Sequence, residues 1–114
     1  MRYKVITLCG STRFKKEFLQ IQKELTLKGY IVLSFGLFGH SGDTEAFDED
    51  VNNMLVEMLK QKIDMSDAVF VVDVDGYIGQ STKSEIEYAK KQHKPIYYFS
   101  NLFLKLWSIK RWFV

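Results

Sequence analysis

The sequence predicts a three-layer α/β domain: a small parallel sheet of four or five strands with helices on both faces. Three observations predict it. Short apolar runs alternate with amphipathic stretches along the chain, so strands and helices take turns. The run Ala68–Val72 is apolar throughout, as expected of a central strand covered on both faces. The glycine-bearing loops follow strands, which gathers Gly10–Arg13, Gly36–Asp43 and Asp73–Thr82 at one edge of the sheet.

The elements follow in order. Val5–Cys9 is a compact apolar run closed by Gly10, the pattern of a buried strand. Phe14, Phe18, Ile21 and Leu25 then form one helical stripe, and Gly29 ends that helix. Ile31–Phe35 is the second strand, and Gly36–Phe47 is a connection too long for a simple turn. A second helix is expected from Asp48 to Met65, with Val51, Leu55, Met58, Leu59 and Ile63 facing inward. Asp48, Glu49 and Asp50 crowd its first turn, where the helix dipole favours negative charge, and are expected as dipole partners rather than metal ligands. Ala68–Val72 is the third strand, Thr82–Gln92 the third helix and Pro95–Phe99 the fourth strand. The tail, Asn101–Val114, is rich in Leu, Trp and Phe and fits either a last helix or an irregular end.

Bulk properties narrow the function classes. A chain of 114 residues, 46% hydrophobic and 26% charged, fits one globular domain spanning 1–114. A net charge of +2, spread over interleaved bases and acids, gives no electrostatic footprint for a nucleic-acid polymer. Lys105, Lys110 and Arg111 lie among Trp107 and Trp112, a pattern better suited to a solvated or oligomer-contacting face. Cys9 is the only cysteine, so an intrachain disulfide is excluded and a cytoplasmic setting is expected. It is expected to be a small buried residue, since no histidine is placed beside it to activate a thiol. No leader or membrane span is expected from the apolar runs, which are short. Nothing in the pattern calls for a cofactor or a metal.

Three segments carry candidate chemistry. Gly10-Ser11-Thr12-Arg13 joins a strand to a helix start, where free N–H groups, two hydroxyls and a guanidinium suit an anion. The plainer alternative is that Ser11 or Thr12 caps the first helix. His40-Ser41-Gly42-Asp43 places a histidine beside hydroxyl and carboxylate groups, fit to orient a substrate or to serve as turn residues alone. The third segment runs from Asp75 to Glu85. Gly76 and Gly79 permit close approach of backbone to a ligand, and Tyr77 offers a ring for stacking. Thr82 and Glu85 have the spacing of a capping box at a helix start. A glutamate in a first helical turn also has its anion favoured by the dipole, as a carboxylate nucleophile at a sugar anomeric carbon requires. Asp73 and Asp75, at the ligand-binding edge, are better placed than Asp64 or Asp67 to meet a sugar hydroxyl or share a proton.

Taken in order, Cys9-Gly10-Ser11-Thr12-Arg13, Ser66-Asp67 before the apolar strand, Gly79-x-Ser81-Thr82-x-x-Glu85-Ile86-x-x-Ala89 and Lys94-Pro95 resemble the nucleoside 2-deoxyribosyltransferase superfamily. That group includes 2'-deoxynucleoside 5'-phosphate N-hydrolases. The resemblance spans residues 4–99 and implies a Rossmann-like or flavodoxin-like fold. It also implies an N-glycosidic bond as the target, with Glu85 as nucleophile at C1'. By the resemblance Gly10, Ser11 and Arg13 would lie against the nucleoside or its 5'-phosphate; Thr12, His40, Tyr77, Gly79, Ser81 and Thr82 are the further candidate substrate-binding residues. Asp75 is the acid nearest the position from which the family assists the reaction, whereas Gly79 stands six residues before Glu85 where transferases carry aspartate. Thr7 and Leu8 occupy the stretch where the family has a tyrosine. Two hypotheses follow: an enzyme cleaving or transferring at a (deoxy)nucleoside or 5'-monophosphate, or a nucleotide-binding module of the same fold without chemistry. Under either, the apolar tail predicts a homodimer or higher homo-oligomer.

Overall fold

In a computed structural model, residues 2–34 and 48–102 are described. Four parallel strands, β1 (Val5–Gly10), β2 (Ile31–Leu33), β3 (Ala68–Val72) and β4 (Ile96–Tyr98), form one sheet in the order β2-β1-β3-β4. Helices α1 (Lys15–Leu27), α2 (Glu49–Asp64) and α3 (Gln80–Lys91) connect them, and a short α4 (Phe99–Leu102) follows β4. This is the small flavodoxin-like arrangement expected from the alternating pattern. The sheet reverses its winding between β1 and β3, which pair from Ile6↔Ala68 to Gly10↔Val72. Reversal opens a crevice at the C-terminal ends of those strands.

Strand periodicity sorts the core into two layers. Ile6 and Leu8 of β1 pack with Phe18, Ile21 and Leu25 of α1, together with Phe70 and Val72 of β3. The alternate residues Cys9, Val69 and Val71 face the other way, against Ile63 of α2 and Ile86 and Ala89 of α3. Burying each large side chain of this set stabilises the fold by about 2 kcal/mol before conformational entropy is counted. All of β3 is buried, as a central parallel strand must be when helices cover both faces.

Local chemistry sets the helix ends. Asp48 is the N-cap of α2, its carboxylate accepting a 2.9 Å bond from the Val51 N–H. Gly29, at φ +96°, closes α1 in the left-handed conformation, and the N–H of Tyr30 donates back to the Leu25 carbonyl. Helix α3 begins two residues earlier than the sequence suggests, with Gly79 as its N-cap and no side chain capping it. The expected Thr82–Glu85 capping box is therefore absent. Thr82 is buried in the first turn and Glu85 stands in the second. Among the described residues no helix is long and apolar enough to cross a membrane.

Candidate active site

A cleft of about 780 Å³ opens at the C-terminal ends of β1 and β2, between α2 and the start of α3. That volume falls in the ordinary range for small-molecule sites. Its polar side is built by Gly10, Ser11 and Thr12 after β1 and by Gly79, Gln80 and Ser81 at the head of α3. Its apolar side is a face of α2, on which Leu55, Val56 and Met58 line the opening. Glu85 also lines the cleft.

Gly10 makes the polar side possible. A Cβ at this position would lie 2.8 Å from the Val72 carbonyl oxygen and 3.1 Å from the Phe18 ring, and its φ is +153°. Only glycine lets β1 run this close to β3 before turning into the loop. Ser11 then caps the short 3-10 turn Thr12–Phe14, its hydroxyl accepting a 3.2 Å bond from the Arg13 N–H. Ser11 thus caps the 3-10 turn that leads into α1, whereas α1 itself starts after Phe14 with no side-chain cap. On the other side, the uncapped start of α3 presents first-turn N–H groups, which favour an anion.

Tyr77 joins the two loops. The Arg13 guanidinium sits 4.0 Å from the centre of its ring, and Phe14 packs edge-on with ring centroids 5.9 Å apart. One face of Tyr77 is therefore already occupied by a cation. Arg13 itself is exposed and is held on that ring, outside the set of cleft-lining residues. A Cβ on Gly79 would come within 3.4 Å of the Tyr77 hydroxyl, so a small residue there suits the packed ring.

Glu85 is the ionisable group of greatest chemical interest. Its Oε1 is shielded from solvent and has no hydrogen-bond partner. Burial raises its pKa to about 7, an effect partly offset by the Cys9 thiol. The sequence suggested an anion stabilised by the helix dipole. In the second turn that influence has largely decayed, and desolvation dominates instead. A carboxyl poised near neutrality is suited to proton transfer, and in its ionised form to nucleophilic attack.

Seven of the expected substrate-site residues, Gly10, Ser11, Thr12, Tyr77, Gly79, Ser81 and Thr82, line the same cleft as Glu85. Asp75 does not. It is exposed on the 3-10 turn Val74–Gly76, at φ 55°, away from the cleft lining. Asp73 is also otherwise engaged. Buried at 3% exposure, it accepts a 2.8 Å bond from the Ser100 N–H and a 2.6 Å bond from the Ser100 hydroxyl, anchoring α4. His40 with its loop, and the apolar tail from 103 onward, lie outside the described residues.

The structure adds groups that the sequence did not mark. Asn52 and Lys62 of α2 line the cleft, as does Ser34 at the end of β2. The Lys62 ammonium donates a 2.6 Å bond to the Ser34 carbonyl, tying α2 to that strand end. On α2 the positions 52, 55, 56, 59 and 62 follow helical spacing. The cleft wall is thus the expected apolar stripe extended by one polar residue at each end. Thr7, where the resembled family has tyrosine, is fully buried. Its hydroxyl meets that of Ser66, and both lie against the Lys62 carbonyl, below the cleft.

No protein-family model matches this chain, and no curated protein matches it.

Proposed function

We propose that the protein acts on the N-glycosidic bond of a (deoxy)nucleoside or nucleoside 5'-monophosphate, with Glu85 as the nucleophile. The observation that carries this reading is Glu85 itself: a largely buried carboxyl with an unpartnered oxygen, in a cleft that also presents uncapped helix N–H groups. The order of motifs around it supports the same assignment. A flat apolar base fits the Leu55–Met58 side of the cleft, while sugar hydroxyls or a phosphate fit the polar side formed by the first loop and the head of α3.

In the reaction, a Glu85 oxygen attacks C1' and forms a glycosyl ester. The C1'–N bond breaks, its electron pair passes to the base nitrogen, and that nitrogen takes a proton from water. A second water, or the N–H nitrogen of an incoming base, then attacks C1'. The C1'–O bond of the ester breaks to free the Glu85 carboxylate, and the attacker's proton passes to the hydroxide left by the first water. The attacking group must be ionised, so turnover falls on the acid side of about pH 7, the Glu85 value.

A panel of nucleosides and 5'-monophosphates, assayed for released base, tests the reading. We expect release by the wild type and a loss of at least about 1,000-fold in Glu85→Gln. Undiminished turnover in that variant defeats it. One observation favours the second reading, a binding module without chemistry: apart from Glu85, no carboxylate among the described residues lines the cleft to assist departure of the base. Nucleotides that raise the melting temperature without any released base would establish that alternative.

A further inference from the structure

Lys62 is held at both of its ends. Its backbone carbonyl, in the last turn of α2, accepts a 3.1 Å bond from the Thr7 hydroxyl and a 2.7 Å bond from the Ser66 hydroxyl. Its ammonium donates a 2.6 Å bond to the carbonyl of Ser34, just after β2. Thr7 pairs with Leu33 in the sheet, so the side chain runs from that level to the C-terminal edge, where the cleft opens. Ordering a lysine side chain forfeits rotamer entropy that one hydrogen bond does little more than offset. The tie therefore adds little stability, but it fixes the place of a cation. Among the described residues Lys62 is the one cation lining the cleft, and no carboxylate pairs with it. An ammonium has three N–H donors, and Ser34 takes one of them.

We propose that Lys62 is a second catalytic residue: its ammonium donates a hydrogen bond to the departing base and stabilises the negative charge that the base takes up. This role rests on the proposed function, in which Glu85 attacks C1' and the electron pair of the C1'–N bond passes to the base nitrogen. Lys62 forms no covalent bond and keeps its proton. The nitrogen still takes its proton from water, and the ammonium holds the charge until that proton arrives.

The placement suits the task. Lys62 lies one turn beyond Leu59 on the α2 wall, whereas Glu85 enters the cleft from α3. A base resting on the Leu55–Met58 face thus lies along the same helix as the ammonium, with the nucleophile on the other wall. A departing pyrimidine or purine gathers charge on the acceptor atom beside its glycosidic nitrogen, O2 or N3, and an ammonium is a charge-assisted donor for it. A cation already fixed in place needs no reorganisation as that charge develops. Lys62 also meets the need left by the absence of a second carboxylate among the described lining residues, by neutralising charge instead of supplying an acid.

Leaving groups distinguish this role from a structural tie. A 7-methylpurine nucleoside releases a neutral base, and a 5-nitropyrimidine spreads its charge onto the nitro group, so both depend less on the ammonium than unmodified bases do. We expect Lys62→Met to lose about 100-fold in kcat on the best unmodified substrate and less than about threefold on its modified counterpart. Equal losses on the two substrates, or no loss on either, overturn the proposal. If Lys62→Met does not fold, the same ratio is read in Lys62→Gln, which keeps an N–H for the Ser34 carbonyl but no charge. Release that is undiminished in Glu85→Gln, with the Lys62 ratio as expected, defeats the Glu85 reading alone. A wild type that releases no base from any substrate defeats the reaction and this role with it.

Discussion

Asp67 and Glu85 are both carboxylates beside the sheet, near opposite ends of it, and their surroundings push them in opposite directions. Asp67 immediately precedes β3 and accepts a 2.8 Å bond from the Val5 N–H and two from Arg2, at 2.9 and 3.2 Å. The Val5 bond first, and then Arg2, hold its pKa below the usual value. Glu85 has an unpartnered oxygen shielded from solvent, and burial raises its pKa to about 7. The contrast teaches where this protein places its unmet electrostatic demand. At the N-terminal edge of the sheet polar groups are satisfied and contribute to stability, whereas at the C-terminal edge a charge is kept under-solvated beside a cleft. Asp73 shows that location alone does not explain the difference. It is buried near the cleft end, and it is fully engaged by Ser100.

The most direct way to break the comparison is to remove the charge at Glu85. A folded-state pKa raised from 4.5 to about 7 means that the fold favours the protonated acid. Stability is then fully present below about pH 4.5 and declines as pH rises through 7, levelling once the group is ionised. Glu85→Gln is therefore expected to stabilise the protein at pH 8, by up to about 3 kcal/mol, with the gain vanishing in acid. Denaturant unfolding at several pH values measures it, and a destabilised variant at pH 8 would end the contrast.

Asp73→Ala should act in the opposite sense. It strands the Ser100 N–H and hydroxyl and is expected to cost about 2 kcal/mol, with hydrogen exchange at Ser100 accelerating. An unchanged melting temperature would place Asp73 outside the satisfied class. The smallest effect belongs to Asp67→Asn. Its ion pair with Arg2 is partly solvated and contributes little, so the loss rests mainly on the Val5 bond, at roughly 1 kcal/mol. A lowered carboxylate stabilises above its unfolded pKa of 3.8 and loses that effect as pH falls through the lower folded value. The wild type and Asp67→Asn should therefore converge in strong acid, as the Glu85 pair does. At higher pH the wild type is here the more stable of the two, the reverse of the Glu85 pair.

Much of the fold was legible because periodicity and burial are local signals. Ala68–Val72 is apolar throughout and is the central strand at its expected bounds. Gly29 ends α1 as its position suggested. Other signals had two equally good meanings. On α2 the stripe from Val51 to Ile63 read as core, yet only Leu59 and Ile63 are buried, while Leu55 and Met58 line the cleft. A core and a ligand pocket ask for the same apolar face, so spacing cannot separate them. Thr82 and Glu85 have capping-box spacing, but the helix starts at Gln80, and the same interval became one buried residue and one cleft residue. Asp73 and Asp75 looked interchangeable as acids at the ligand edge; Ser100, 27 residues away from Asp73, separates them.

The sequence by itself determined the order of strands and helices, the edge at which the glycine loops gather and the segment that holds Glu85. Each of these follows from side-chain period and turn chemistry within a few residues. Only the tertiary structure decided that Arg13 lies on Tyr77 and that Asn52 and Lys62 share the cleft. Those contacts join residues far apart in the chain, and they depend on strand register and on which face of each helix the sheet covers. The raised pKa of Glu85 belongs to the same class, since desolvation is set by everything packed around a group and not by its neighbours in sequence.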